Sequence, residues 1–509
     1  MSPVNTSSHN RFRCLVVALA VLAGITSDTG VVSAQSLARP AGAGGAAVVT
    51  VGRATVGRAV PAGFLGLSME LPAVEEYAGS DPQALNPVLE QLIRNLAPGQ
   101  RPVLRLGGDS TDWTWSPVGH LPRPPWVRFT LTPGWMRVTK ALTEALNARL
   151  IVGINLEANR PQVAATEANA LITGLGRRSI EALEVGNEPE LYGAFSWYHT
   201  SAGVHFTGRP RGYDFSDFTQ DFSRIVGSLP PISLAGPAVG APDWAAQLGP
   251  FLAAEPKVGL ATLHAYPLKK CSTTTNVTAA QLLSESSSVG LADSLAPYAG
   301  VAHAHGVPLR IDEMNAISCG GERGVSDTFA SALWSLDAMF AMASVGVDGV
   351  NFHTVPNAVN ELFAFKLVHG VWSGSVHPNY YGLMMFAQAA PAGARLLTLS
   401  GPTGGTLRTW ATLAPDGHIR VVLINTNTAR AQLVAVRIAS ARGSAALERL
   451  TAPAITAESG LSLGGQSFGS QTTTGLITGN PESDSVTPSA GSYLVRLPAA
   501  SAAMLTLSR

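Results

Sequence analysis

Two glutamates stand where apolar segments give way to polar ones. Glu188 closes an apolar run in "IEALEVGNEPELYG", between Asn187 and Pro189, and Glu313 sits in "PLRIDEMN". Paired carboxyls support a specific chemistry when their environments differ. A carboxyl in an apolar setting has its pKa lifted toward ~6 and keeps a proton for a leaving oxygen. Its ionised partner attacks the anomeric carbon and forms a glycosyl-enzyme ester. At a separation of ~5–5.5 Å the pair performs retaining glycoside hydrolysis. A lone loop glutamate is ordinarily a solvated charge, so the pair has meaning only if the chain brings both together.

The surrounding pattern supplies the means. Eight apolar segments read as strands: 64–71, 102–108, 148–156, 181–187, 232–239, 260–266, 308–315 and 347–353. Amphipathic runs such as "NPVLEQLIRNL" and "DTFASALWSLDAMFAMASV" lie between several of them. Near-continuous apolar strands with helical connections predict parallel strands covered by helices. The span suits a closed (β/α)8 TIM barrel, typically ~250 residues. An open doubly wound sheet is the competing architecture, but no G-x-G-x-x-G opens a helix after the first strand. In a barrel, chemistry gathers at the C-terminal strand ends. The residues there are Glu70, Gly107-Gly108-Asp109, Asn155 and Asn159, Asn187-Glu188-Pro189, His264-Ala265-Tyr266, Asp312–Asn315 and His353. Strands four and seven face each other across the mouth, which would bring Glu188 and Glu313 close.

From about Thr398 the texture changes. "GTLRTWATL", "HIRVVLINTN", "AQLVAVRIA" and "GSYLVRL" are β-formers between turn residues, which predicts an antiparallel β-sandwich. The stretch Ala46–Val60 has the same texture and is expected to add an N-terminal strand to that sandwich. Before it, Arg11 and Arg13 precede an apolar run that ends near Val32-Ser33-Ala34, the layout of a secretory signal peptide. A single N-terminal anchor is the alternative. The expected domains are thus a signal peptide (1–34), linker and N-terminal strand (35–62), catalytic barrel (63–397) and β-sandwich (398–509), in an exported protein.

Composition narrows the function classes. Hydrophobic residues make up 46% of the 509 and charged residues only 13%, so the chain is rich in core. With 34 basic and 34 acidic residues there is no field of one sign to attract nucleic acid or an anionic membrane. Apart from the leader, no segment approaches ~18 uninterrupted apolar residues. Once Cys14 has left with the leader, Cys271 and Cys319 remain, an even pair for which a disulfide is the default in an oxidising compartment. No metal or other cofactor is expected: no His-Glu-x-x-His helix is present, and His303 and His305 read as a helix end. Gly465-Gln466-Ser467-Phe468-Gly469 has the form of a nucleophile elbow, but it lies among turn residues in the β-rich tail, so a turn explains it.

"EVGNEPELYG" and "RIDEMNAISCGG" resemble the (β/α)8 retaining glycosidases that place Asn-Glu-Pro after strand four and the nucleophile after strand seven. With "LRLGGDSTDWTW", "LHAYPL", "NYYGLMMF" and the C-terminal β-domain, the chain resembles glycoside hydrolase family 79, the β-glucuronidases and heparanase, over about residues 60 to 509. The resemblance implies Glu188 as acid/base and Glu313 as nucleophile. Asn187 is then expected at the sugar 2-hydroxyl, Tyr266 at the Glu313 carboxylate, and Glu70 and Asp109 at outer hydroxyls. The family recognises the uronate carboxylate just after the nucleophile, through a tyrosine and glycine N–H groups. This sequence departs there, with Ser318-Cys319-Gly320-Gly321, which leaves the N–H groups of Gly320 and Gly321 and the Ser318 hydroxyl as donors. The implied activity is β-glucuronidase on a carbohydrate substrate. The alternatives are a related retaining xylosidase, glucosidase or arabinosidase, and a catalytically silent carbohydrate-binding protein.

Overall fold

A computed structural model describes residues 45–508 apart from His120, Thr273 and 440–442. The expected signal peptide lies outside the described residues. Among those described, no helix is long and apolar enough to cross a membrane.

All eight expected barrel strands form, each within about two residues of the sequence reading. They are β1 (Leu65–Glu70), β2 (Val103–Gly107), β3 (Arg149–Ile154), β4 (Ile180–Val185), β5 (Leu234–Val239), β6 (Val258–Ala265), β7 (Leu309–Met314) and β8 (Gly349–Thr354). They pair in parallel in chain order and close through β8 and β1, with Leu67 opposite Phe352. Alternation sorts their side chains. Leu104, Leu106, Val152, Leu183 and Ile311 join the large apolar layer under the helices. Val103, Ile151, Ala182, Ala235 and Leu260 form a separate apolar plug inside the barrel. Two positions beyond this plug the inward residues turn polar, with Arg105 on β2 and Glu184 on β4, both fully buried. Apolar packing below a polar layer is how the fold holds ionisable groups rigidly.

One irregularity matters for the site. Between β6 and β7 the register slips, with Leu263 opposite Ile311 but His264 opposite Glu313. Asp312 is the extra residue, a β-bulge of the kind that re-aims side chains beside active sites. Strict alternation would send Asp312 and Glu313 to opposite faces. With the bulge, both reach Arg105 inside the barrel.

The β-domain is one ten-stranded sheet that folds over so that its inner face encloses its own core, including Val49, Val421, Leu423, Val436, Val495 and Leu505. The N-terminal strand Ala47–Ala59 lies within this sheet, antiparallel to Arg395–Ser400 and parallel to Gln432–Ile438. The expected N-terminal contribution is therefore present, and it adds a parallel pair to an otherwise antiparallel domain. Period-2 alternation docks the sheet on the barrel: Val421 and Leu423 face the sandwich core, whereas Val422 and Ile424 join the barrel's apolar layer. Trp410 completes the junction. Its ring stacks on Phe340 with 5.7 Å between centroids, and its indole N–H donates to Asp337 at 2.7 Å.

Candidate active site

The chain leaves β4 through a backbone that few residues adopt. Gly186 has φ 86° and Glu188 has φ 45°, a left-handed conformation unusual for a non-glycine and disfavoured before Pro189. The Glu188 N–H is held by the Ala238 carbonyl at 2.9 Å. Strain of this kind persists where surrounding structure over-determines it, and it is characteristic of functional sites. Its effect is to present the Glu188 carboxyl, about a quarter exposed, to the barrel mouth.

Glu313 reaches the same space from β7. Tyr266, just past β6, donates its hydroxyl to Glu313 Oε1 at 2.9 Å, and Arg105 donates Nη1 to Oε2 at 2.5 Å. His264 joins the two glutamates: its Nδ1 is 2.9 Å from Glu188 Oε1 and 4.0 Å from Glu313 Oε2. One oxygen of each glutamate and one His264 nitrogen lie within 4.8 Å of one another. Such a trio has the spacing of a cation site, yet Arg105 and Tyr266 already direct donors onto Glu313, so the positive charge is built into the protein.

Electrostatics separate the groups. Burial by itself would raise Glu313, but His353, His264, Arg105 and the Tyr266 hydrogen bond outweigh it and hold the carboxyl well below the usual carboxylate range. Burial would likewise lower His264; Glu313, the Glu188 hydrogen bond and Asp312 reverse that and push it up to about 10. Glu70 is raised to about 8 by burial and then by Asp109, against two hydrogen bonds from Ser110. Asp109 stands open to solvent in the mouth but is hemmed in by protein; desolvation, then Glu313 and Glu188, bring it up to about 7.

The remaining expected residues fall as follows. Asn187 donates Nδ2 to Asp109 at 3.4 Å and accepts Arg105 Nη2 at 2.8 Å, so its amide is oriented beside the pair. Glu70 accepts the Ser110 N–H at 2.8 Å and lies 3.7 Å from His353. Asn155 is fully buried and ties down the loop after β2 through the carbonyls of Asp112 and Thr114, a structural task. Outside that expected set, Trp115 and Trp126 are buried in one aromatic cluster, with Trp126 stacked on Trp197 at 5.0 Å. No hydrogen bond among the described residues links Ser318, Gly320 or Gly321 to either glutamate.

Residues 409–504 match the glycosyl hydrolase family 79 C-terminal beta domain. The β-domain is a family 79 domain. This agrees with the resemblance carried by the sequence blocks of the barrel. No curated protein sequence matches the chain. Among solved structures, a 4-O-α-L-rhamnosyl-β-D-glucuronidase from Fusarium oxysporum 12S is similar, with 21% identity, TM-score 0.68, and coverage of 90% of this chain and 100% of that one. A GH51 arabinofuranosidase from Xanthomonas axonopodis pv. citri follows at 15% identity and TM-score 0.63, covering 91% and 100%. The chain therefore joins a family 79 β-domain to a barrel whose fold is that of known glycoside hydrolases.

Two features of the site escape sequence reading. Arg105 is hidden in the apolar strand "VLRLG", and His264 reads as one more strand-end polar residue until its two carboxylate neighbours are seen. The disulfide, by contrast, forms as expected. Cys271 and Cys319 are bonded, with Cα atoms 5.2 Å apart, joining the loop after β6 to the loop after β7. A short parallel pairing of Leu268–Lys269 with Ile317–Ser318 and a 3.5 Å Lys270–Glu322 ion pair reinforce that join. The double variant Cys271→Ser/Cys319→Ser is expected to lose about 2–4 kcal/mol, because the bond closes a long loop in the unfolded chain. Its KM should rise more than its kcat falls, since the loop frames the mouth while the glutamates keep their own supports. Urea unfolding of the oxidised protein beside the variant, with steady-state kinetics, checks both.

Proposed function

We propose that this protein is a secreted retaining β-glycosidase that cleaves terminal β-linked glucuronic acid, with Glu188 as acid/base and Glu313 as nucleophile. The observation that carries this reading is the Glu188–His264–Glu313 arrangement within 4.8 Å, in which Glu313 alone is wrapped by Arg105, Tyr266 and two histidines. The spacing suits direct attack on carbon, because an inverting pair stands ≈6.5–9.5 Å apart to admit water. In the first step Glu313 attacks the anomeric carbon while Glu188 gives its proton to the departing oxygen. In the second, Glu188 takes a proton from water, which attacks the ester and frees the sugar with its configuration retained. Asn187 is placed to grip the sugar next to the nucleophile. The disulfide supports an oxidising, extracytoplasmic setting.

Support for a uronate comes from two places. The N–H groups of Gly320 and Gly321 have no partner among the described residues, which leaves them free for a carboxylate. Glu70 and Asp109 would repel a uronate if ionised, but both are raised, to about 8 and about 7, and so carry protons in mildly acidic solution. As pH rises through 7 to 8 these groups ionise. kcat/KM for an aryl glucuronide is accordingly expected to fall over that range more steeply than for the matching aryl glucoside.

A uronic-acid-configured cyclitol epoxide tests the core of the reading. It should inactivate the enzyme with one covalent adduct, mapped to the peptide carrying Glu313, while the glucose- and xylose-configured epoxides react far more slowly. Labelling of another residue would overturn the nucleophile assignment. Faster labelling by a neutral epoxide would keep the mechanism and transfer the substrate to a neutral sugar.

A further inference from the structure

Beneath the two glutamates lies a carboxyl pair that the proposed reaction leaves idle. Glu184 of β4 and Asp312 of β7 are both fully buried, and the bulge turns Asp312 inward to meet Glu184. Their oxygens converge on one donor: Arg105 Nε is 2.7 Å from Glu184 Oε2 and 3.3 Å from Asp312 Oδ2. Neither Asp312 oxygen, nor Glu184 Oε1, has an aligned hydrogen-bond donor from any described residue. Leaving three buried carboxylate oxygens unsatisfied would be strongly unfavourable.

A charge count gives the same result. Around Arg105, two cations, Arg105 itself and protonated His264, face three carboxyls, Glu184, Asp312 and Glu313, while burial holds the His353 ring below its ordinary value so that it adds no full charge. Buried Arg310 on β7 gives no help here, because it turns to Asn351 and to the Gly63 carbonyl at the other end of the barrel. His264 Nε2 is 3.8 Å from Asp312 Oδ1, too far to satisfy it. One proton on the carboxyl set makes the interior neutral, as burial demands.

We propose that Glu184 and Asp312 share a single proton, carried by Asp312 and donated to Glu184, and that the pair positions Arg105 beneath Glu313. The proton belongs on Asp312 because Glu184 makes the shorter contact to the guanidinium, the mark of the ionised partner. Burial and the Glu184 charge push the Asp312 carboxyl far up, whereas Arg105 overcomes burial and holds Glu184 low. Ionised Glu184 fixes the Nε edge of Arg105, which leaves Nη1 for Glu313 and Nη2 for Asn187. An ionised Asp312 would compete with Glu313 for the same cation; a neutral one does not. Glu184 and Asp312 are positioning residues, since neither touches the reacting atoms.

The functional half of this inference rests on Glu313 being the nucleophile; the proton itself is testable without activity. Infrared spectroscopy of the intact protein should show a buried protonated carboxyl that persists far above the ordinary carboxylate range and is missing from Asp312→Asn. In kinetics two isosteric changes should diverge. Asp312→Asn preserves a neutral donor and should keep kcat/KM within about threefold, with both limbs of its pH profile in place. Glu184→Gln deletes the charge that holds Arg105 and should lower kcat/KM by at least about thirtyfold and displace the profile, in a protein that still folds. Asp312→Ala should lose the activity that Asp312→Asn retains. Equal damage from Asp312→Asn and Glu184→Gln, no damage from either, or no protonated band would overturn the proposal. An inactive wild-type protein that still shows the band would count against the glycosidase reading alone.

Discussion

Glu313→Ala is expected to reduce kcat/KM for an aryl β-glucuronide by on the order of 10⁴-fold or more, because no covalent intermediate can form. Azide should restore turnover by entering the vacated space, and a single displacement from that face gives the α-glycosyl azide. Glu188→Ala should behave differently. An activated aryl aglycone needs little proton assistance, so the glycosyl-enzyme still forms and accumulates. Azide then attacks that ester, and two displacements give the β-glycosyl azide. Poorly activated aglycones should lose far more rate in Glu188→Ala than activated ones. The opposite anomers distinguish the two roles more sharply than rates do, because misfolding lowers a rate but does not choose an anomer. Matching anomers from both variants would refute the assignment. Glu313→Ala leaves Arg105 its contact with Glu184, so a folded variant is expected and its melting temperature should be checked alongside.

How far sequence reading reaches depends on whether a feature is local. The eight barrel strands were visible because each is a short apolar run between turn residues, and parallel strands buried on both faces keep that signature. Glu188 and Glu313 were visible because acids that end such runs are conspicuous. The β-bulge was not, since nothing in "RIDEMN" says that Asp312 breaks the alternation; the slip is defined only against β6. Arg105 was hidden for a related reason. A single arginine in an apolar strand is intelligible only through its partners, and Glu184 and Glu313 lie 79 and 208 positions away. The placement of Ala47–Ala59 in the C-terminal sheet followed from shared texture, whereas its parallel pairing with Gln432–Ile438 did not, because texture carries no strand direction.

Arg105→Lys is the second large effect expected, and it tests whether charge alone suffices at this position. Arg105 is wholly buried and serves three groups at once: Glu184 through Nε, Glu313 through Nη1 and Asn187 through Nη2. A planar fork can address three directions from one fixed plane; an ammonium is a point charge on a flexible stem and cannot reproduce that geometry. Lysine should therefore preserve the neutrality of the interior but release Asn187 and loosen Glu313, lowering kcat/KM by about 100-fold at a modest loss of stability. Arg105→Met removes the charge as well. It leaves buried carboxylates without their partner, so a loss of about 3–5 kcal/mol is expected, and much of the protein should fail to accumulate folded. Unfolding curves and kinetics on the two variants separate the contributions: lysine isolates geometry, and methionine adds charge. If Arg105→Lys retained activity within twofold, the fork would be dispensable and Tyr266 with the two histidines would suffice to hold Glu313. The three contacts at 2.5–2.8 Å in one guanidinium plane argue for the larger loss.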